Sequence, residues 1–169
     1  MEEVIIERHT LTVLVNNEAG VLARVVGLFS GRGYNIESLT VAEVDPAARI
    51  SRITIVTSGT PEVIEQIEAQ LNRVVPVHSV TNWTAAKAGI EREMALIKVA
   101  GTGEKRVEAL RMADAFRARP VDTTHTSFVF EITGAPAKID SFIELMRPLG
   151  LVDISRTGVA AISRGPEAM

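Results

Sequence analysis

The side chains best placed to do chemistry in this 169-residue chain are uncharged amides. Asn16-Asn17-Glu18-Ala19-Gly20 follows an alternating apolar run and precedes a helical one. Gly20 permits close backbone approach. Asn17 stands where its side chain can cap a helix beginning near Gly20. Free amides at a helix N-terminus attract a carboxylate without needing arginine. A carboxamide also offers both a donor and an acceptor, so it can meet a carboxylate or an ammonium. Val21 and Leu22 add an apolar wall. The set matches a small aliphatic zwitterion, a free amino acid; it equally matches a capped helix start with no ligand. The second segment is Gly31-Arg32-Gly33-Tyr34-Asn35-Ile36-Glu37-Ser38-Leu39. Asn35 opens a strand at a sheet edge, or is simply a turn asparagine. Pairing that edge with the same edge of a second copy, about a two-fold axis, would close it. Asn35 of one copy would then face the Asn17 loop of the other.

Other chemistries find little support. There is no cysteine, which excludes disulfides, zinc-thiolate sites, iron–sulfur clusters and cysteine nucleophiles. His9, His78 and His125 lie in three separate strand-like segments, with no triad spacing and no metal-ligand pair. Gly101-Thr102-Gly103 lacks the third glycine and the Lys-Ser/Thr ending of a phosphate loop, and reads as a strand-to-helix turn. The Asn16–Gly20 loop has no cation to hold a phosphate. The expectation is no catalytic residue and no metal site. Eighteen basic against 21 acidic residues, a net charge of −3, speak against nucleic acid as the main partner. No apolar run approaches the ~20 residues of a membrane span. The acidic opening, Met1 to Arg8, is unlike a signal or transit peptide, so a cytoplasmic protein is expected.

The elements that must position these residues repeat once. Residues 1–84 carry a balance of −4 and residues 85–169 one of +1, and Thr84 to Ile90 reads as a linker. In the first half, Thr10–Val15 alternates as a strand, and Val21, Val25, Leu28 and Phe29 share a helical face that ends at Gly31 and Gly33. Tyr34–Val44 reads as a strand with a bulge or bend near Ser38, Asp45-Pro46 as a turn, and Ile50–Thr57 as a strand with Ile53 and Ile55 inward. Thr60-Pro61-Glu62 starts a helix with Val63, Ile64, Ile67 and Leu71 buried, and Val74–Trp83 is the last strand. The second half follows suit. Met94–Val99, Val121–Thr124, Phe128–Thr133 and Val152–Ile162 read as strands. Glu104–Phe116 (carrying Val107, Leu110, Ala113 and Phe116) and Pro136–Met146 read as helices. The fold class is α+β: two ferredoxin-like βαββαβ domains, 1–84 and 85–169, whose antiparallel sheets carry helices on one face.

Val15 to Val25, Gly27-Leu28-Phe29-Ser30 and Arg32-Gly33-Tyr34-Asn35-Ile36-Glu37-Ser38-Leu39-Thr40-Val41 closely resemble the small regulatory subunits of acetolactate synthase (acetohydroxyacid synthase). So do Ser51–Val56, Glu65–Arg73, Glu91–Val99 and Arg156–Gly165. The resemblance implies that residues 1–84 form an ACT domain, an amino-acid-binding regulatory module, and that 85–169 form the C-terminal domain of the small subunit. It implies a branched-chain effector, chiefly valine, bound where two ACT domains of a homodimer meet. Asn17, Gly20, Val21 and Leu22 of one subunit, with Asn35 and Ile36 of the other, would line that site. The family position held here by Ala19 is often serine. The implied partner is a large catalytic subunit that carries thiamine diphosphate, magnesium and FAD, a transferase that condenses two pyruvates, or pyruvate with 2-ketobutyrate. The small subunit would activate it and confer feedback inhibition, with no cofactor of its own. Valine, leucine and isoleucine remain open as effector on pocket chemistry alone. A stand-alone amino-acid sensor that regulates transcription or another enzyme is the alternative, though residues 85–169 show no helix-turn-helix or basic stretch.

Overall fold

The computed structural model describes residues 4–169; Met1, Glu2 and Glu3, which open the acidic N-terminus, lie outside them. The first of two compact units runs up to Ile90 and takes in Val159–Met169, and the second is Glu91–Gly158. The sequence reading divides the chain between residues 84 and 85; the contacts divide it six residues later and assign the last 11 residues to the first unit.

The first unit begins β1 (Glu7–Asn16), α1 (Val21–Gly31), β2 (Ser38–Asp45), β3 (Ile50–Gly59), α2 (Pro61–Arg73), β4 (Val77–Asn82). Its four strands order β2-β3-β1-β4, all neighbours antiparallel. The register sets Leu11 opposite Ile55 and Val13 opposite Ile53, and Val25, Phe29, Ile64, Ile67 and Leu71 from the two helices close over them. Full burial of each such side chain stabilises by about 1.5–3 kcal/mol. The α2 start is as expected: Pro61 opens it and the Thr60 hydroxyl accepts from the Val63 N–H at 3.4 Å.

Three local readings change. The strand after α1 starts at Ser38, not Tyr34, after a bend at Glu37, and the register shift in β2 comes between Glu43 and Asp45. The strand expected over Val74–Trp83 is the shorter β4, because Asn82 turns the chain by accepting from the Ala85 N–H at 3.0 Å. Trp83–Ala86 is therefore a short helix, α3, where a linker was expected.

That helix matters because it covers the second face of the sheet. Trp83 is 5% exposed, and its Nε1 donates to the Thr12 hydroxyl at 2.7 Å. The Thr12 and Thr54 hydroxyls meet across the strands at 3.3 Å. The Arg52 guanidinium lies 5.9 Å from the Trp83 ring centroid and donates to the Ala161 carbonyl at 2.7 Å. Val159 N–H donates to the Ser38 hydroxyl at 3.0 Å. Burial of Thr12 and Thr54 is tolerated because their hydroxyls are partnered, whereas the buried Thr40 hydroxyl, opposite Thr54, has no partner among the described residues.

The second unit comprises β5 (Gly89–Ala100, all but its first two residues), α4 (Gly103–Ala115), β6 (Arg119–Thr123), β7 (Ser127–Gly134), α5 (Pro136–Met146), a 3₁₀ turn (Arg147–Leu149) and β8 (Leu151–Arg156). The strand order is β6-β7-β5-β8. The single closing strand expected over Val152–Ile162 is broken at Thr157-Gly158, where Gly158 has φ 88°. The piece beyond it, β9 (Ala160–Ser163), belongs to the first unit, and Arg164 N–H donates to the Ala88 carbonyl at 3.0 Å.

The α4 face also differs. Val107 and Leu110 are 49% and 40% exposed, while Ala109 and Ala113 are buried. Aromatic volume explains this: Phe128 and Phe130 stack at 5.2 Å, Phe130 meets Phe142 at 6.1 Å, and Phe116 meets Phe142 at 5.4 Å. With rings filling the core, the helix side facing the sheet must be small. Among the described residues, no helix is long and apolar enough to cross a membrane.

Candidate functional site: an amide-lined loop and an asparagine segment

The loop after β1 is held from two sides. Asn16 N–H donates to the Pro76 carbonyl at 3.2 Å, and its Oδ1 lies 2.5 Å from His78 Nε2. Asn17 N–H donates to the Arg49 carbonyl at 2.7 Å, and its side-chain amide donates to the Glu43 carboxylate. Arg49 adopts φ 54°, a left-handed conformation uncommon outside glycine, and its Nη2 lies 3.5 Å from the Asn17 carbonyl. The β2–β3 hairpin therefore brings a cation and a carboxylate to a loop that has no basic residue of its own.

Asn17 does not cap the helix. Gly20 is the N-cap, with φ 84°, and no side chain caps α1. Left-handed Gly20 turns the chain into the helix, and the carboxamide of Asn17 is engaged by Glu43 instead. Val21 N–H returns to Glu18 at 3.3 Å and Arg24 N–H to Gly20 at 3.0 Å. The N–H groups of Leu22 and Ala23 have no acceptor among the described residues, and no acid occupies the first turn. This is an uncompensated positive helix end, suited to a carboxylate. The apolar wall needs correction: Val21 is 3% exposed and its side chain belongs to the core, whereas Leu22 is 41% exposed at the loop.

The second segment lies elsewhere. Asn35 and Ile36 precede β2 in irregular backbone, so Asn35 does not open the strand. The Thr57 hydroxyl donates to the Asn35 carbonyl at 2.6 Å, and Glu37 N–H donates to the Val56 carbonyl at 2.8 Å. Ile36 packs, half-buried, against the first core, while Asn35 is exposed. The ladder pairs Thr57 with His9, and Ile50 with Asn16. The Asn35 segment and the Asn17 loop thus stand at opposite ends of β1, about 24 Å of strand apart. Within one chain they are not one site.

The histidines have structural surroundings. Buried His9 lies between Asn82 and Glu7, with Nε2 2.8 Å from the Glu7 carboxylate; His78 holds Asn16; His125 is exposed in a loop. Glu43, Arg49, Thr57 and His78 were missed as partners of the loop and the asparagine segment. The only signal for two of them was the Asp45-Pro46 turn, which Glu43 and Arg49 flank. Strand register, invisible in local spacing, is what carries that turn to residue 17.

Two βαββαβ units in tandem, the first with an asparagine loop at an open helix N-terminus, define a ferredoxin-like protein of the ACT class. Residues 11–79 match the "AHAS small subunit-like ACT domain" and residues 92–165 match the "Small subunit of acetolactate synthase". The chain is 46% identical over 158 residues to the "Probable acetolactate synthase small subunit" of Archaeoglobus fulgidus, covering 94% of this chain and 98% of the relative. It is 43% identical over 163 residues to the "Acetolactate synthase isozyme 3 small subunit" of Salmonella typhimurium, covering 96% and 99%. The crystal structure of the acetolactate synthase small subunit from Thermotoga maritima superposes with a TM-score of 0.82 at 37% identity, covering 95% of this chain and 99% of that one. The chain belongs to the acetolactate synthase small-subunit family.

Proposed function

We propose that the chain is the regulatory subunit of an acetolactate synthase in branched-chain amino-acid synthesis. It activates a separate catalytic subunit, which holds the thiamine diphosphate, magnesium and FAD, and it makes that subunit sensitive to valine. Valine sits where two ACT units of a homodimer meet.

The observation that carries this reading is the separation of the two asparagine segments. β2 is an open sheet edge, with Val41 and Val44 exposed at 42% and 52%. Antiparallel pairing of β2 with the β2 of a second copy closes the edge. It also carries Asn35, just before the start of one β2, toward the partner end where Glu43 anchors the Asn17 loop. The Leu22 and Ala23 amides then meet the effector carboxylate, the asparagine side chains orient it, and Leu22 and Ile36 flank the isopropyl group. A ligand bridging two subunits contacts their arrangements differently, which is what shifts an equilibrium. A coupling of about 1–3 kcal/mol changes a partner's behaviour roughly 5- to 150-fold.

Reconstitution tests the proposal. Acetolactate formation by the large subunit should rise when this chain is added and fall again with valine. A monomeric chain that changes neither activity nor valine sensitivity would overturn it.

A further inference from the structure

We infer that Thr57 is a positioning residue of the effector site, acting through Asn35. This rests on the reading of Asn35 as an effector contact and adds a buried side chain that sets its orientation. Thr57 is 0% exposed, near the end of β3 rather than in either loop. A hydroxyl buried this completely needs a partner, and among the described residues the partner of Thr57 Oγ1 is the Asn35 carbonyl, at 2.6 Å. Asn35 needs that bond equally. Residues 34–36 lie outside helix and strand, so no ladder fixes their backbone. On one flank Tyr34 N–H is tied to the Phe29 carbonyl at 2.9 Å, and on the other Glu37 N–H is tied to Val56 at 2.8 Å. Between these ties, the Thr57 hydroxyl sets the plane of the peptide that follows the Asn35 Cα, and hence where its exposed carboxamide points. Loss of the hydroxyl leaves the asparagine in place but free to turn, and a ligand then bears the cost of ordering it.

The test is calorimetric titration of the full chain with L-valine, comparing wild type with Thr57→Val, Thr57→Ser and Asn35→Ala, each checked for a cooperative melting transition above the assay temperature. The expected result is an affinity about tenfold weaker for Thr57→Val, the scale of one hydrogen bond. Thr57→Ser, which keeps the hydroxyl, should restore binding to near wild type; a merely packing role would not distinguish the pair in this direction. If Thr57→Val does not fold, Thr57→Cys, of similar volume with a weak donor, takes its place. Wild-type affinity in Thr57→Val while Asn35→Ala loses binding overturns the positioning role alone. Wild-type affinity in Asn35→Ala as well overturns the reading of the site, and the inference with it.

Discussion

The Arg156 guanidinium grips the carboxylate of Glu93 through two parallel bonds, Nε to Oε1 at 2.7 Å and Nη2 to Oε2 at 2.8 Å. Glu93, in β5, is 5% exposed, and the third nitrogen of Arg156 reaches Asp140 on α5 at 2.7 Å. One guanidinium thus ties two strands and a helix of the second unit together. The Glu93 hydrogen bonds hold Arg156 still further above its already high pKa, so the guanidinium stays charged at any working pH. Removing one partner leaves a desolvated charge, which costs about 3–5 kcal/mol in buried pairs. Arg156→Met should therefore destabilise the second unit by a few kcal/mol, read as a lower urea midpoint. An unchanged midpoint would show that Glu93 finds water instead.

Asn17 and Asn35 are exposed, so their removal should cost the fold little, within about 0.5 kcal/mol. Asn17→Ala and Asn35→Ala should each abolish feedback by valine in the reconstituted enzyme while the chain keeps its circular dichroism spectrum. Undiminished calorimetric binding of valine by both variants would contradict the site.

Gly150 follows the 3₁₀ turn with φ 104°, and a Cβ there would stand 1.9 Å from the Ala100 carbonyl oxygen. That neighbour is backbone in the central strand and cannot step aside. Gly150→Ala should cost at least about 2 kcal/mol, combining left-handed strain with displaced β5. Thermal denaturation of the variant measures it. Gly20→Ala provides the contrast: its φ is also positive, but the added Cβ meets nothing within 4 Å, so it should lose only the backbone component, about 1–2 kcal/mol.

The start of α2 gives a pH prediction. The Glu62 carboxyl is held below its ordinary pKa, first by its own backbone N–H and then by the Thr60 hydroxyl. A carboxyl depressed on folding contributes stability above its unfolded pKa and loses it as pH falls through the folded value. An NMR titration should find Glu62 shifted down in the wild type and less so in Thr60→Ala. The variant should also lose about 1 kcal/mol from the missing cap, and its stability should depend less on pH in the acid range. A Glu62 titration identical in both proteins would remove Thr60 from this role.

Short-range pattern settled much of this protein. The alternation of Leu11, Val13 and Val15, the helical spacing of Val21, Val25 and Phe29, and the Thr60-Pro61 start are all properties of neighbours within a turn or a pleat, and each recurs in the structure. The element order, the resemblance of residues 15–41 and the choice of two asparagines as candidate ligand contacts rest on the same local information. Tertiary structure decided the rest. Thr12 and Thr54 alternate as a polar face should, yet Trp83 and the segment from Val159 bury them. Val107 and Leu110 have helical spacing, yet aromatic rings leave room only for Ala109 and Ala113. Asn17 has the position of a cap, yet register brings Glu43 to it first. In each case the competing partner is distant in sequence, and only the pairing of strands and the filling of volume determine which contact prevails.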